Sequence, residues 1–336
     1  MSTVSHSPPL VSVIIPTYNR PQYLQAAIAS VLNQTLSDLE VIVSDDGSLE
    51  NPQAIVETFQ DARIRFRRNA TNLGVAWNVT HALHLAQGKY IASLNDDDQW
   101  SDTFLETLVT PLEHNPDLVL SFCDYFVMDA QGEIHDLWTH QQTQKEYRDR
   151  LTEGVYQPFW EVGLVDQAVF VSCAAVLRKT AIATDELPQA GVFWDYYLAY
   201  QACRTGQGAY YCPERLAYYR RHPASENMVS GSRNAQAKIR KGRAGIFCYR
   251  QFATDAPTAS LRQHFQQEWA HASTTLAIGL MRDRQHAAAR PYLLQAYRQS
   301  PGNLRTLIAL MLSYFPQSLS SFISQLRNPG VFSKAR

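Results

Sequence analysis

Tyr90-Ile-Ala-Ser-Leu-Asn-Asp-Asp-Asp98 decides how this chain is read. Tyr90, Ile91 and Leu94 give it the apolar character of a buried strand, and Gly88 just before them marks the end of a helix. Asp96, Asp97 and Asp98 follow at the C-terminal end of that strand. In an open α/β sheet, ligands bind at that edge. Neighbouring carboxylates repel one another unless a cation neutralises them. A hard divalent ion such as Mg2+ takes oxygen ligands and keeps substrate phosphates in its shell. The same acids also suit a plain acidic turn in which Asp98 or Ser101 caps the next helix.

Upstream, three further strands alternate with helices. Leu10 to Ile15 is a mostly β-branched run closed by Pro16, followed by the loop Pro16-Thr-Tyr-Asn-Arg20. Pro21 suits the first turn of a helix, and Tyr23, Leu24, Ala27, Ile28, Val31 and Leu32 recur on one face of it. Leu39 to Val43 is a second strand, ending in Ser44-Asp-Asp-Gly-Ser48, with a helix capped by Ser48 or Asn51 running to Phe59. Ile64 to Arg67 is a short third strand, and Val75 to Ala86 a helix. This alternation predicts a doubly wound parallel sheet with right-handed crossovers. The loops after strands 1, 2 and 4 carry Tyr18-Asn19-Arg20, Asp45-Asp46 and Asp96-Asp97-Asp98, so one sheet edge becomes an acidic cleft. Asp45 and Asp46 alone also fit turn chemistry.

With 336 residues the chain holds one large domain or two smaller ones, and a hydrophobic share of 45% is enough to bury a real core. A net charge of −1 gives no reason to expect nucleic-acid binding. The five cysteines show no CxxC spacing and read as buried free thiols in a reducing compartment. Met1 to Pro9 lacks the pattern of a signal peptide, and no apolar stretch reaches the ~18 residues of a membrane span. Asn69-Ala-Thr and Asn78-Val-Thr match the glycosylation pattern but, without a secretory signal, read as chance matches.

Val11-Ser-Val-Ile-Ile-Pro-Thr-Tyr-Asn-Arg20, Ser44-Asp-Asp-Gly-Ser48, Asn72-Leu-Gly74 and the acidic run, in that order, resemble glycosyltransferase family 2. The resemblance covers about residues 10 to 225. It implies the GT-A fold, a Rossmann-like nucleotide-binding sheet with helices on both faces. It also implies inverting sugar transfer from a nucleotide-sugar donor, with a divalent cation, Mn2+ or Mg2+. By position, Pro16, Thr17 and Tyr18 would line the nucleotide pocket, with Arg20 near phosphate or the rim. Asp45 and Asp46 would accept hydrogen bonds from base or ribose, and Asn72 and Gly74 belong to the same nucleotide-binding set. Asn95-Asp96-Asp97 stands at the family's Asp-X-Asp position. There Asp97 would bind the metal with Asn95 as a weaker neutral ligand, and Asp96 would hold ribose or sugar. Asn95 departs from the usual Asp, and Trp77 stands where an Arg is common.

The second half is read in the same terms. Leu118 to Met128 is a strand closed by a turn at Ala130-Gln-Gly132, and Glu133 to Pro158 an acceptor-side insertion or flexible loop. Val169 to Leu177 is a strongly apolar strand, and a helix begins at Ala181 to Asp185. Gly191-Val-Phe-Trp-Asp195 stands where the family opens a helix with its catalytic base. Asp195 is the acid that fits, with Trp194 where another acid is common; Trp194 reads either as a sugar platform or as a core residue. The alternative for Asp195 is a helix-terminal acid. Helix 195 to 205 leads to a strand at Ala209 to Cys212 and to Tyr219-Arg220-Arg221-His222, followed by Ser225. The family ends its catalytic domain with such an element. Arg220, Arg221 and His222 suit a diphosphate, and a histidine also serves as a metal ligand; the alternative is a solvated basic turn.

Residues 223 to 240 read as a loop able to fold over donor, and helices follow from Ala244. Ala287 to Asn303 resembles one helical hairpin of the tetratricopeptide type. Leu304 to Ile323 is an apolar helix broken by Pro316, suited to a membrane surface, a partner groove or a plain core. The expected domains are therefore 8–235, catalytic, and 236–330, a helical appendage. The expected partners are a UDP- or dTDP-sugar and a glycan, lipid-linked or protein acceptor. There is room for peripheral contact with the inner membrane face and for a homodimer, and the expected location is cytoplasmic. Two other classes remain open. A nucleotidyltransferase would use a Gly-rich, Lys-containing first loop, which this chain lacks. A non-catalytic nucleotide or sugar binder would explain Asn95 and Trp194.

Overall fold

The structure, a computed structural model, describes residues 8–223 and 234–314. It divides into two compact units, with the boundary between residues 225 and 226.

In the first unit the apolar runs become β1 (Val11–Thr17), β2 (Leu39–Asp45), β3 (Ile64–Arg68) and β4 (Tyr90–Ser93), separated by the helices α1 (Pro21–Leu32), α2 (Gln53–Glu57) and α3 (Val75–Leu85). All these strands pair in parallel, β1 with both β2 and β4, and β2 with β3. Every residue of β1, β2 and β4 is buried. Burying one such Val, Ile or Leu side chain contributes about 1.5–3 kcal/mol, so continuous β-branched runs belong in the middle of the sheet. The strands outrun the expected ends. Pro16 and Thr17 complete β1 and Asp45 completes β2, so the loops that follow are shorter than the sequence implied.

The remaining elements are β5 (Gln99–Trp100), α4 (Phe104–His114), β6 (Leu118–Met128), α5 (Asp136–Lys145), β7 (Gly154–Tyr156), β8 (Ala175–Arg178), α6 (Leu187–Ala190), α7 (Trp194–Arg204) and β9 (Gly208–Arg220). The sheet runs β3-β2-β1-β4-β8-β6-β9-β5, with β7 added on β9. The first four strands are parallel, as their alternation with helices implied, and beyond them the sheet is mixed: β8 is antiparallel to both β4 and β6, while β6 and β9 are parallel. Strands buried on both faces have the same composition in either direction, so their sequence carries no sign of polarity.

Three further expectations are corrected. Glu133 to Pro158 is ordered, with α5 and β7 inside it. The run 169–177 is a strand only from Ala175; before that, Cys173 and Ala174 N–H both return to the Phe170 carbonyl in a turn. The helix expected near 181–185 begins at Leu187 with Pro188 in its first turn. All five cysteines are buried and free, as expected.

The second unit contains α8 (Ala235–Asp255), α9 (Ala259–Arg282), α10 (His286–Gln299) and α11 (Leu304–Leu312). Residues 235–240, expected in a loop, are the first turns of α8. Gly242 lets α8 meet α9 closely, because a Cβ there would lie 2.5 Å from the Leu276 backbone nitrogen. Ile239, Leu276, Leu280, Leu293 and Ala309 form its core. Asn303 caps α11 by accepting the Thr306 N–H. Ser225, most of the 223–233 stretch, and the portion of the expected helix carrying Pro316 lie outside the described residues. No described helix is long and apolar enough to cross a membrane.

Candidate active site

The carboxyl ends of β1, β2 and β4 bring their loops to one edge. The acidic turn after β4 is tight: Asp98 N–H donates to the Asn95 carbonyl at 3.1 Å, and Asn95 Nδ2 donates to Asp98 Oδ2 at 3.1 Å. Asp98 also accepts the Arg220 N–H at 2.8 Å, so it joins this turn to β9. Burial and then Asp97 push its carboxyl well above the usual range. Neither Asp98 nor Ser101 caps a helix, because α4 begins after Thr103.

Asp96 and Asp97 share one cation. Arg20 Nη1 lies 2.9 Å from Asp96 Oδ1 and 2.8 Å from Asp97 Oδ2. Thr17 Oγ1 donates to Asp96 Oδ2 at 2.7 Å, and the Tyr18 N–H points at the same oxygen from 3.4 Å. Burial raises the Asp96 pKa to about 6; Arg20 pulls against it and Asp97 adds to it. Burial works against the charge on Arg20, but Asp96 and Asp97 outweigh it and its pKa is raised. Tyr18 is 43% exposed, the open wall of this corner.

Asp45 and Asp46, expected to face a base or ribose, turn inward and are buried. Asp45 accepts from the Ser48 N–H and hydroxyl and pairs with Arg68 at 3.1 Å. Asp46 accepts from Leu73 N–H at 2.9 Å, Gly74 N–H at 2.8 Å and Asn69 Nδ2 at 2.9 Å. These bonds clasp the loop after β2 to the loop ahead of α3. Gly47, with φ +71°, sits where they touch, and a Cβ there would lie 2.7 Å from the Thr71 carbonyl carbon. Asn72 and Leu73 are exposed on the rim, as is Trp77 in the first turn of α3.

Asp195 opens α7 with Trp194 buried beside it, so that tryptophan is a core residue and not a platform. Asp195 Oδ2 accepts the Ser172 hydroxyl at 3.0 Å and Oδ1 the Tyr196 N–H at 2.8 Å. Burial raises its pKa most, the two hydrogen bonds lower it, and Glu146 adds to the rise. Ser172 also accepts the Asn95 N–H on its carbonyl at 3.2 Å. One residue therefore joins Asp195 to the acidic turn. Ser172 carries no motif; its role comes from the turn before β8, which the apolar pattern concealed.

The three residues at the end of β9 part company. His222 Nε2 lies 2.8 Å from Asp97 Oδ2, with the Tyr23 ring 5.1 Å away. Arg220 is buried, and its Nε donates to the Asp97 carbonyl at 2.8 Å while Nη1 reaches the carbonyls of Asp129 and Ala130. Arg221 turns elsewhere and lies over the Trp138 ring at 5.0 Å. Tyr23 is the neighbour that sequence reading passed over, since its position on α1 looked like ordinary helix packing.

Among the described residues, no group of three or more His, Cys, Asp or Glu side chains surrounds a common point. Asp97 and His222 nevertheless converge from positions far apart in the chain. One carboxylate and one imidazole fit a divalent ion that keeps waters and phosphates in its remaining positions. Asn95 donates to Asp98 through its amide nitrogen, so the amide oxygen, the atom that would meet a metal beside Asp97, takes no part in that bond.

The family model for glycosyl transferase family 2 matches residues 12–179. An Escherichia coli relative, UDP-Glc:alpha-D-GlcNAc-diphosphoundecaprenol beta-1,3-glucosyltransferase WfgD, is 39% identical over 106 residues, 32% of this chain and 42% of the relative. The chain spans 45%, 66% and 46% of three other curated glycosyltransferases that it matches. Residues 1–349 of Staphylococcus aureus TarS, bound to UDP-GlcNAc, share the fold with a TM-score of 0.61 at 13% identity, covering 94% of this chain and 91% of that fragment. The Pyrobaculum calidifontis mannosyltransferase PcManGT, with GDP-Man and Mn2+, has a TM-score of 0.53 at 16% identity, over 96% and 88% of the two chains.

Proposed function

Because the chain belongs to glycosyl transferase family 2, we propose that it moves a sugar from a nucleotide-diphosphate donor to an acceptor hydroxyl by a single inverting displacement. The observation that carries this reading is the Ser172 bridge, which sets a buried carboxylate, Asp195, next to the acidic turn where donor phosphates would lie.

Asp195 is the base. It takes the acceptor proton as the acceptor oxygen bonds to the anomeric carbon, while the bond from that carbon to the phosphate oxygen breaks and its electron pair leaves with the diphosphate. A raised pKa suits it, since a base works best near the operating pH. Attack from the face opposite the diphosphate inverts the anomeric centre, so no second nucleophile is required.

Asp97 and His222 would hold a divalent cation, which when bound would neutralise charge on the departing diphosphate. Arg20 would turn from Asp96 and Asp97 toward the phosphates. Asp96 would hold ribose or sugar, and Tyr18 would border the base. Thr17 and Pro16 would form the floor, and Asn72 and Gly74 the far rim. Asp45 and Asp46 would act through the loops they clasp, and Arg220 through the carbonyls it holds. Arg221, over Trp138, would lie at the margin.

A UDP-sugar donor is supported by the E. coli relative's name and by TarS with UDP-GlcNAc, and Mn2+ by PcManGT. The relative's name also supports a lipid-linked sugar as acceptor, which would put the work at the cytoplasmic membrane face. The test is thermal stability against a panel of nucleoside diphosphates and their sugars, with and without Mn2+ or Mg2+. A nucleotide at ~100 times its dissociation constant should add about 2.7 kcal/mol. A shift by one nucleotide that needs the metal supports the reading and names the base. No shift with any nucleotide defeats it.

A further inference from the structure

We propose that the C-terminal helical unit is a docking surface for a bilayer with anionic headgroups, independently of which sugar the catalytic unit transfers. The net charge of −1 hides two opposite halves. Residues 8–223 hold 15 Lys and Arg against 27 Asp and Glu, whereas residues 234–314 hold 11 against 3. Such asymmetry is a mark of a polyanionic partner.

The charge is gathered at one place. Gly279 of α9 is packed against Ile239 of α8, with a would-be Cβ 2.9 Å from the Ile239 nitrogen, so Lys238 lies beside α9. Arg282 follows one turn after Gly279, on the same face. Arg305 of α11 reaches across to Thr275 Oγ1 at 3.1 Å, again on that face of α9. Lys238 and Arg305 are each held below the ordinary value, by burial first and then by Arg282, as like charges at close range require.

The apolar part comes from the same helix as Arg305. Leu304 and Met311 of α11, 71% and 54% exposed, lie at its start and its last turn, and Tyr314, 60% exposed, follows. A nucleic acid would use the cations and gain little from exposed leucine and methionine. A membrane interface uses both: basic side chains meet the headgroups and apolar ones enter the acyl boundary. Neither alone holds a protein firmly, and the combination does.

The experiment is co-sedimentation of the full chain with vesicles of phosphatidylcholine alone or with roughly 30% phosphatidylglycerol, enough for a strongly anionic surface, across a salt series. Binding should need phosphatidylglycerol and weaken with salt. Arg282→Gln with Arg305→Gln should weaken it about thirtyfold, since each cation near an anionic surface is worth roughly fivefold. Leu304→Ser with Met311→Ser should also weaken it, with the helical circular dichroism and nucleotide-dependent melting unchanged in both variants. Equal binding to both vesicles, or none, overturns the proposal. So does a Leu304→Ser, Met311→Ser variant that binds as wild type while heparin or DNA competes fully, which would make the face a general polyanion site.

Discussion

Ser172 donates its hydroxyl to Asp195 Oδ2 at 3.0 Å while its carbonyl holds the Asn95 N–H at 3.2 Å. The base candidate and the acidic turn are thus fixed by one residue. Bonds to the charged form of a carboxylate favour that form, so this hydroxyl restrains a pKa that burial drives upward. Ser172→Ala should raise the pKa further. A reaction that needs ionised Asp195 then loses more rate at pH 6 than at pH 8, and the acid limb of the kcat profile moves to higher pH. A loss of about tenfold at pH 6 is expected from one charged hydrogen bond. A profile that only drops in height, with no displacement, would leave Ser172 as packing.

Asp195→Asn should cut turnover by roughly 10²–10⁴-fold, the usual contribution of a general base. The Tyr196 N–H bond survives on the amide oxygen, so α7 should keep its start and the melting temperature should change little. Nucleotide binding by calorimetry should stay at the wild-type value. Wild-type transfer in this variant would remove Asp195 from the chemistry.

Arg20 Nη1 bridges Asp96 and Asp97. Arg20→Ala leaves two buried carboxylates without their shared partner. Truncating one member of a buried pair costs about 3–5 kcal/mol, and Arg20 is 26% exposed, so a lower figure of about 1–3 kcal/mol is expected. Mn2+ should restore part of that loss, giving a larger metal-induced melting shift in the variant than in wild type. A smaller shift would mean that Arg20 helps to build the metal position and does not stand in for the ion.

His222→Ala should raise the concentration of Mn2+ needed for half-maximal activity by about 10–100-fold if the imidazole is a ligand or its close support. Asp97→Asn should do at least as much, and the double variant no more than the worse single one, because both act on one ion. The readout is a Mn2+ titration of transfer activity. Independent, additive losses would separate the two residues.

How much of this was legible in the chain follows from the kind of contact involved. The βα alternation from Val11 to Ser93 and the placing of Asp96 and Asp97 came from apolar runs and local spacing. The antiparallel β8 did not, since a strand buried on both faces reads alike in either direction. Asp45 and Asp46 were seen as acids on the right edge, but whether a carboxylate faces ligand or its own loop depends on Leu73, Gly74 and Arg68, far along the sequence. The net charge of the whole chain misled for another reason: it averaged an acidic unit with a basic one.

The segment read as an acceptor-side insertion or flexible loop, 133–158, is fastened by a charge that no periodicity announces. Arg148 is fully buried, with Nε 2.8 Å from Asp124 Oδ1, Nη1 2.6 Å from Glu146 Oε2, and its guanidinium 3.9 Å above the Tyr125 ring. Tyr125 on β6 closes the set by donating to Glu146 at 2.8 Å. Arg148→Met would keep the volume but leave Glu146 without its buried cation, and the Asp195 pKa already feels that carboxylate. Breaking a buried pair costs about 3–5 kcal/mol, much more than a typical surface change. The variant should melt well below wild type, and any that folds should show the acid limb of its activity shifted upward. Adding Glu146→Gln should recover much of the stability and return the limb toward wild type, because the stranded charge is gone. A double variant as unstable as the single one would place the loss in the Asp124 contact, and the 136–150 segment would then be tied to β6 without reaching the base.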